Sequence, residues 1–207
     1  MKHRSLLSLA AAAALIFALP QAASATPDIG KPAPAFNGTD SRGQTVSLAA
    51  LKGKTVVLEW TNHECPFVKK HYDSGNMQKV QKEALEHKNV IWVSINSSAP
   101  GKQGHVDTKA ALEIIKKDDA HPTHYLIDES GEIGKLYEAK TTPHMFIIDK
   151  EGTLAYEGAI DDKPSPRPAS LEGAQNYVLA ALKDLHAGHT VQTPATKPYG
   201  CSVKYAH

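Results

Sequence analysis

The sequence predicts an α/β fold with a mixed central sheet, helices on both faces, an extended lead-in and a C-terminal tail. Three observations carry this. Apolar, β-branched runs at 55–60 and 89–96 alternate with segments of helical period, the pattern of parallel strands joined by helices. Residues 145–149 and 154–160 then flank Lys150-Glu151-Gly152, a hairpin signature. Finally, Leu171, Ala174, Val178, Ala181, Leu182 and Leu185 recur at helical spacing over 171–186. Strand–helix alternation first, with a hairpin and closing helix last, makes the sheet parallel early and antiparallel late.

Taken in order, residues 26–37 carry Pro27, Pro32 and Pro34 among small residues and read as the extended lead-in. Residues 39–44 form a turn and 46–48 a short strand or edge. A further turn at 51–54, with Gly53, feeds the strand at 55–60. Pro66 then opens a helix, because proline suits the first helical position, where its missing N–H would have had no partner. The helix runs to about residue 87 with a break at 73–76; Met77, Val80, Ala84 and Leu85 give the period of its second half. The run at 89–96 is the second strand. After a loop with Pro100, Gly101 and Gly104 comes a helix at 108–117, with Ala111, Leu112 and Ile115 on its apolar side. Residues 124–128 supply a third strand and 133–137 a short helix. Three prolines make 161–168 a loop, and 189–207 a tail bearing Pro194, Pro198, Gly200 and Cys201.

The first 25 residues stand apart. Lys2, His3 and Arg4 precede an apolar stretch at 6–19, and Ala23-Ser24-Ala25 offers small residues for cleavage, the layout of a secretory signal peptide. The expected organisation is a leader at 1–25, one domain at 26–188 and a tail at 189–207. The expected address is exported, periplasmic in a Gram-negative source. The leader takes two of the 23 Lys and Arg and none of the 22 acids, leaving a net charge of about −1. Neither a nucleic-acid partner nor an anionic membrane surface is indicated by that balance. No later stretch is long and apolar enough to cross a bilayer.

Chemistry centres on Thr55–Tyr72, TVVLEWTNHECPFVKKHY. Cys65 falls at the strand-to-helix turn, where unpaired N–H groups and the helix dipole favour a thiolate. It reads as an exposed redox nucleophile; the plainer reading is a small buried residue ahead of a helix. Cys201 is the other cysteine, and an even pair in an exported chain invites a disulfide that is either structural or catalytic. Linking 65 to 201 would close most of the chain into one loop, about 5 kcal/mol by chain entropy.

The sequence resembles the thioredoxin-like superfamily, in its exported redoxin branch, the alkyl hydroperoxide reductase/thiol-specific antioxidant (AhpC-TSA) and TlpA-like group. The likeness rests on Gly30-Lys31-Pro32-Ala33-Pro34-Ala35-Phe36, the strand before Cys65, Thr141-Thr142-Pro143, and Phe146-Ile147-Ile148-Asp149 with Gly152, covering residues 29–186. It implies that Cys65 begins the first long helix and that Pro143 is a cis-proline lying against it. Thr142 would then face Cys65 and offer backbone groups to an extended substrate. Val68 stands where a Cys-x-x-Cys motif has its second cysteine, so a local dithiol is impossible. The peroxiredoxin pattern has threonine three residues before its cysteine; here that position is Asn62, with Thr61 one earlier. Beyond the leader the arginines are Arg42 and Arg167.

The first functional expectation is therefore an exported thiol oxidoreductase, of thiol–disulfide exchange or thiol peroxidase type. In it Cys65, Cys201, Thr142 and Pro143 form the site, and Cys201, in Lys197-Pro198-Tyr199-Gly200-Cys201, is the candidate resolving thiol. Its partners would be protein thiols or disulfides, or a small peroxide, with a thiol electron donor and no cofactor. The second is a binding module with a structural Cys65–Cys201 bridge and a Pro143 cleft for a peptide, and the third a copper- or zinc-handling protein using His63, Glu64, His71 and Cys65, whose spacing fits no strong metal template. Among the neighbours, His71 would favour the thiolate and Glu64 oppose it. His144 could approach Cys65, Trp60 and Trp92 read as core aromatics, and Lys69-Lys70 as a solvated helix face.

Overall fold

Each residue of the strand Thr55–Trp60 is buried, and the period of two along a strand sorts them onto opposite faces. Val56, Leu58 and Trp60 join one apolar core. Val57 joins another, and Glu59 points the same way. A strand that must satisfy two cores is the centre of a three-layer fold, and the computed structural model, which describes residues 27–206, has that form. The leader read over 1–25 lies outside the described residues.

The strands are β1 (Asn37–Thr39), β2 (Thr45–Ser47), β3 (Thr55–Trp60), β4 (Val90–Asn96), β5 (His124–Ile127), β6 (Thr141–Thr142), β7 (His144–Ile148), β8 (Leu154–Gly158) and β9 (Cys201–Ser202). The helices are α1 (Pro66–Asp73), α2 (Asn76–Leu85), α3 (Thr108–Lys117), α4 (Glu132–Leu136) and α5 (Tyr177–His186). The main sheet runs β5-β4-β3-β7-β8. β3 pairs in parallel with β4, and β4 with β5; β3–β7 and β7–β8 are antiparallel. The sheet is thus parallel on one side of β3 and antiparallel on the other, as the order of elements predicts.

α2 and α5 close one face, with Met77, Val80, Ala84, Val178, Ala181 and Leu182 against Trp92, Met145 and Ile147. The other face is covered by Phe36, Val46, Ile133 and Tyr137, together with Val203 from the tail. Full burial of such side chains contributes roughly 1.5–3 kcal/mol each.

Two differences from the sequence reading have clear causes. The closing helix starts at Tyr177 rather than 171, because Gly173 takes φ +64° and the Asn176 side chain caps Leu179 N–H at 2.9 Å. Leu171 and Ala174 therefore lie before it. Leu112 is 43 % exposed; the buried side of α3 is centred on Ala111, with Ile114 and Ile115 packed nearby.

Candidate active site

The antiparallel pairing of β3 with β7 decides where the chemistry gathers. Trp60 lies opposite His144, so the chain leaving β3 meets the chain entering β7. On the leaving side Asn62 makes the turn: its carbonyl accepts Cys65 N–H at 2.9 Å, its Oδ1 accepts Glu64 N–H at 2.9 Å, and its Nδ2 donates to Gln103 O at 3.2 Å. Cys65 then stands as the N-cap of α1 with Pro66 as first helical residue. On the entering side Thr142–Pro143 is a cis peptide bond. The Cys65 Sγ lies 3.1 Å from the Thr142 carbonyl oxygen.

The third component is the tail. Glu157 N–H donates to Pro194 O and Thr196 N–H to Glu157 O, both at 3.0 Å, so the tail first follows the edge of β8. β9 then pairs antiparallel with β6, Thr142 opposite Cys201. This brings Cys201 Sγ to 2.7 Å from Cys65 Sγ. Both are free thiols, and a small approach separates them from a bonded pair at about 2.05 Å. Gly200 makes the close pairing possible. Its φ is +141°, and a Cβ there would run into the Thr142 carbonyl oxygen, with the carbonyl carbon at 2.7 Å. Past β9, Ala99 N–H donates to Lys204 O at 2.8 Å and Tyr205 OH to Ala139 O at 2.8 Å.

Cys65, Thr142, Pro143 and Cys201 are therefore brought together. The expected exposure of Cys65 is corrected: it is 0 % exposed. Its sulfur is in contact with Cys201 and Thr142, and it belongs to neither main apolar core. Burial pushes the Cys65 thiol up, but hydrogen bonding with Cys201 and with the Thr142 side chain, and the N–H groups of Val68 and Cys201, bring it below the ordinary cysteine value. Burial, with the hydrogen bond and charge of Cys65, pushes Cys201 up to about 11. The pair is thus asymmetric, with the anion favoured on Cys65.

The flanking residues behave differently from their sequence reading. Lys70 is no solvated residue; its side chain is 0 % exposed beside Asp161, while Lys69 is exposed. His71 is held neutral, since burial and then Lys70 push it down to about 3, so it adds no positive charge beside the thiolate. Its Nδ1 lies 2.8 Å from Asn76 Nδ2. Burial likewise takes His144 to about 3; its Nδ1 accepts Lys140 N–H at 3.3 Å and its ring packs on Phe146. Burial also lowers His63, which lies 3.9 Å from Glu64. Among the described residues no three His, Cys, Asp or Glu side chains converge as a metal would require. Trp60 and Trp92 are fully buried, with Trp60 Nε1 donating to Ser97 Oγ at 3.0 Å.

One group went unread in the sequence. Glu59 is completely buried under the α1–α2 layer, where Trp92 Nε1 and Ser94 Oγ donate to Oε2 at 2.8 Å and Tyr72 OH to Oε1 at 2.9 Å. Burial raises its carboxyl above the usual range in spite of these donors. The one signal was a charge inside an otherwise apolar strand.

Comparison with known proteins agrees with this architecture. The AhpC/TSA family model matches residues 29–157, more than half of the chain. The protein belongs to the AhpC/TSA family. It is 29 % identical over 130 residues to thiol-disulfide oxidoreductase ResA of Bacillus thuringiensis, covering 63 % of this chain and 69 % of that protein. A crystal structure of an uncharacterized conserved protein from Geobacillus kaustophilus superposes with a TM-score of 0.73 at 29 % identity, over 86 % of this chain and 93 % of the other. The thioredoxin domain of a thiol-disulfide oxidoreductase from Bacteroides vulgatus superposes with a TM-score of 0.52 at 20 % identity, over 72 % and 98 %, and shares the fold. The family member described here therefore has a thioredoxin-like fold.

Proposed function

We propose that this AhpC/TSA family protein is an exported thiol–disulfide oxidoreductase in which Cys65 is the redox nucleophile and Cys201 resolves its adduct. The observation that carries the reading is the 2.7 Å approach of two sulfurs 136 residues apart in the chain. Their asymmetry gives each a role. The Cys65 thiolate attacks one sulfur of a substrate disulfide; an S–S bond forms to Cys65 and the other substrate sulfur leaves as a thiolate. The Cys201 thiol, deprotonated, then attacks Cys65, closing the intramolecular disulfide and releasing the second substrate thiolate. Two electrons pass to the substrate, and a dithiol donor restores both cysteines; the same steps reversed oxidise a dithiol. Relatives named thiol-disulfide oxidoreductase support exchange over peroxide reduction. So does Arg42, which is engaged by Asp40 at 3.3 Å and by Thr123 O rather than free to hold a peroxide. The exported setting rests on the basic, apolar and small-residue pattern of 1–25.

Intact-mass measurement after a small-molecule disulfide challenge, and separately after mild peroxide, tests this. Wild type should close a 65–201 disulfide, Cys201→Ser should accumulate an adduct on Cys65, and Cys65→Ser should lose exchange. Unchanged turnover in Cys65→Ser would overturn the assignment. The complete burial of Cys65 favours a second reading, a binding module with a structural 65–201 bridge. A bond that resists every dithiol donor short of unfolding would select it.

A further inference from the structure

The tail carries a feature that disulfide exchange alone does not call for. Two residues before Cys201, the Tyr199 side chain enters a pocket built around a buried ion pair. The Lys70 and Asp161 side chains are 0 % and 2 % exposed, with Nζ 3.6 Å from Oδ2. Lys70 Nζ donates to Lys163 O at 2.9 Å and to Tyr199 OH at 3.0 Å. The Tyr199 hydroxyl in turn donates to Asp161 Oδ1, and His71 Nε2 lies 3.4 Å from it. The ring packs on Phe67 with centroids 5.8 Å apart.

We infer that the Lys70–Asp161 pair is a receptor for the Tyr199 hydroxyl, and that this latch sets the register in which Cys201 faces Cys65. Tyr199 is thus a positioning residue for the resolving step; the inference rests on Cys201 being the resolving thiol. Burying two charges is costly and is repaid only when their remaining donors and lone pairs find partners. Lys163 O satisfies one Lys70 donor without the tail, whereas Tyr199 both accepts from Lys70 and donates to Asp161. No other hydroxyl reaches both charges among the described residues. Gly200, having no side chain, adds no anchor of its own, so on the side before Cys201 the nearest side-chain anchor is Tyr199. Gly200 bends the chain at φ +141° between Tyr199 and Cys201, so anchoring Tyr199 fixes the point from which that bend delivers Cys201 to β6.

The same pair explains how a sealed Cys65 becomes reachable. Asp161 Oδ2 has no hydrogen-bond partner among the described residues, so closure satisfies the charges incompletely. The latch holds the tail without making it permanent.

The test is the effective concentration of Cys201 toward Cys65. It is measured on the full protein as the ratio of closed disulfide to glutathione adduct in buffers of glutathione and its disulfide, read by acid quench and intact mass. Tyr199→Phe keeps the ring and removes the hydroxyl. It should lower the effective concentration about tenfold or more, the loss expected for a hydrogen bond to charged partners. Combining it with Lys70→Met should add little beyond either change alone. Tyr137→Phe, which keeps its ring packing and loses a buried hydroxyl bond to Pro34 O outside the Tyr199 pocket, should leave the ratio unchanged. An unaltered ratio in Tyr199→Phe, or an equal fall in Tyr137→Phe, would overturn the latch. If Lys70→Met fails to fold, the tyrosine variant still decides. A wild type that never closes the pair would instead overturn the resolving role itself.

Discussion

Replacing Gly200 by alanine probes the contact on which the site depends. The residue occupies φ +141°, and the added methyl would meet the Thr142 carbonyl oxygen, with the carbonyl carbon at 2.7 Å and Pro143 N at 3.3 Å. All three are backbone atoms, so no rotamer change relieves the clash. A side chain held at such a φ costs about 1–3 kcal/mol, and forcing a methyl into packed atoms costs about 1–3 more. The sum, about 2–6 kcal/mol, exceeds what a two-residue strand pairing can repay. The strain is therefore relieved by releasing β9, and the free energy of undocking caps the cost. Even the lower figure raises the undocked population about thirtyfold, since 1.4 kcal/mol is a factor of ten. Cys65, sealed in the wild type, should become open to a thiol reagent. The assay is the rate at which iodoacetamide labels Cys65 in reduced protein, quantified on its proteolytic peptide under conditions where the fold persists. Labelling at the wild-type rate in Gly200→Ala would refute the reasoning, because it would mean that β9 is not what covers the sulfur.

Further outcomes are expected. Glu59 has a folded-state carboxyl raised above its ordinary value of 4.5, so between the two values the folded chain holds a proton that the unfolded chain releases. Stability from this group therefore falls as pH rises above about 4.5, and Glu59→Gln should gain in Tm over wild type as pH rises from there; parallel melting curves would count against a raised carboxyl. His144 works in the opposite sense. With its folded-state value near 3 against 6.5, the unfolded chain takes up a proton that the folded chain refuses. Stability is then lost as pH falls from 6.5 toward 3, by up to about 1.4 kcal/mol per pH unit. His144→Asn, which can still accept the Lys140 N–H, should flatten denaturant-midpoint curves by about one proton over that range. Met77→Ala removes a fully buried side chain between α2 and the sheet and should cost about 2–5 kcal/mol in chemical unfolding, with a loss below 1 kcal/mol contradicting the packing described.

Most of the architecture was readable because its signals are local. A run such as Val56-Val57-Leu58 declares a buried strand within its own window, and α3 begins and ends where its period does. Pro66 was enough to place Cys65 at a helix head. Reading failed where the deciding partner lies elsewhere in the chain. Lys70 looks like any lysine on a helix surface, and only the arrival of Asp161 and Tyr199 makes its burial tolerable. The start of α5 was misplaced because apolar spacing continued through residues that Gly173 and Asn176 remove from the helix.

What the sequence by itself determined is the order of strands and helices, the parallel-then-antiparallel sheet, and the position of Cys65 at the mouth of α1. These follow from periodicity and from proline chemistry, which act over a few residues. The tertiary structure alone decided that Cys65 is covered, that Cys201 rather than any nearer group meets it, and that Tyr199 reaches a buried ion pair. β6 and β9 are two residues long and carry no pattern of their own. Their pairing exists because β3 and β7 first bring residues 65 and 142 together, leaving one strand edge for the tail to occupy.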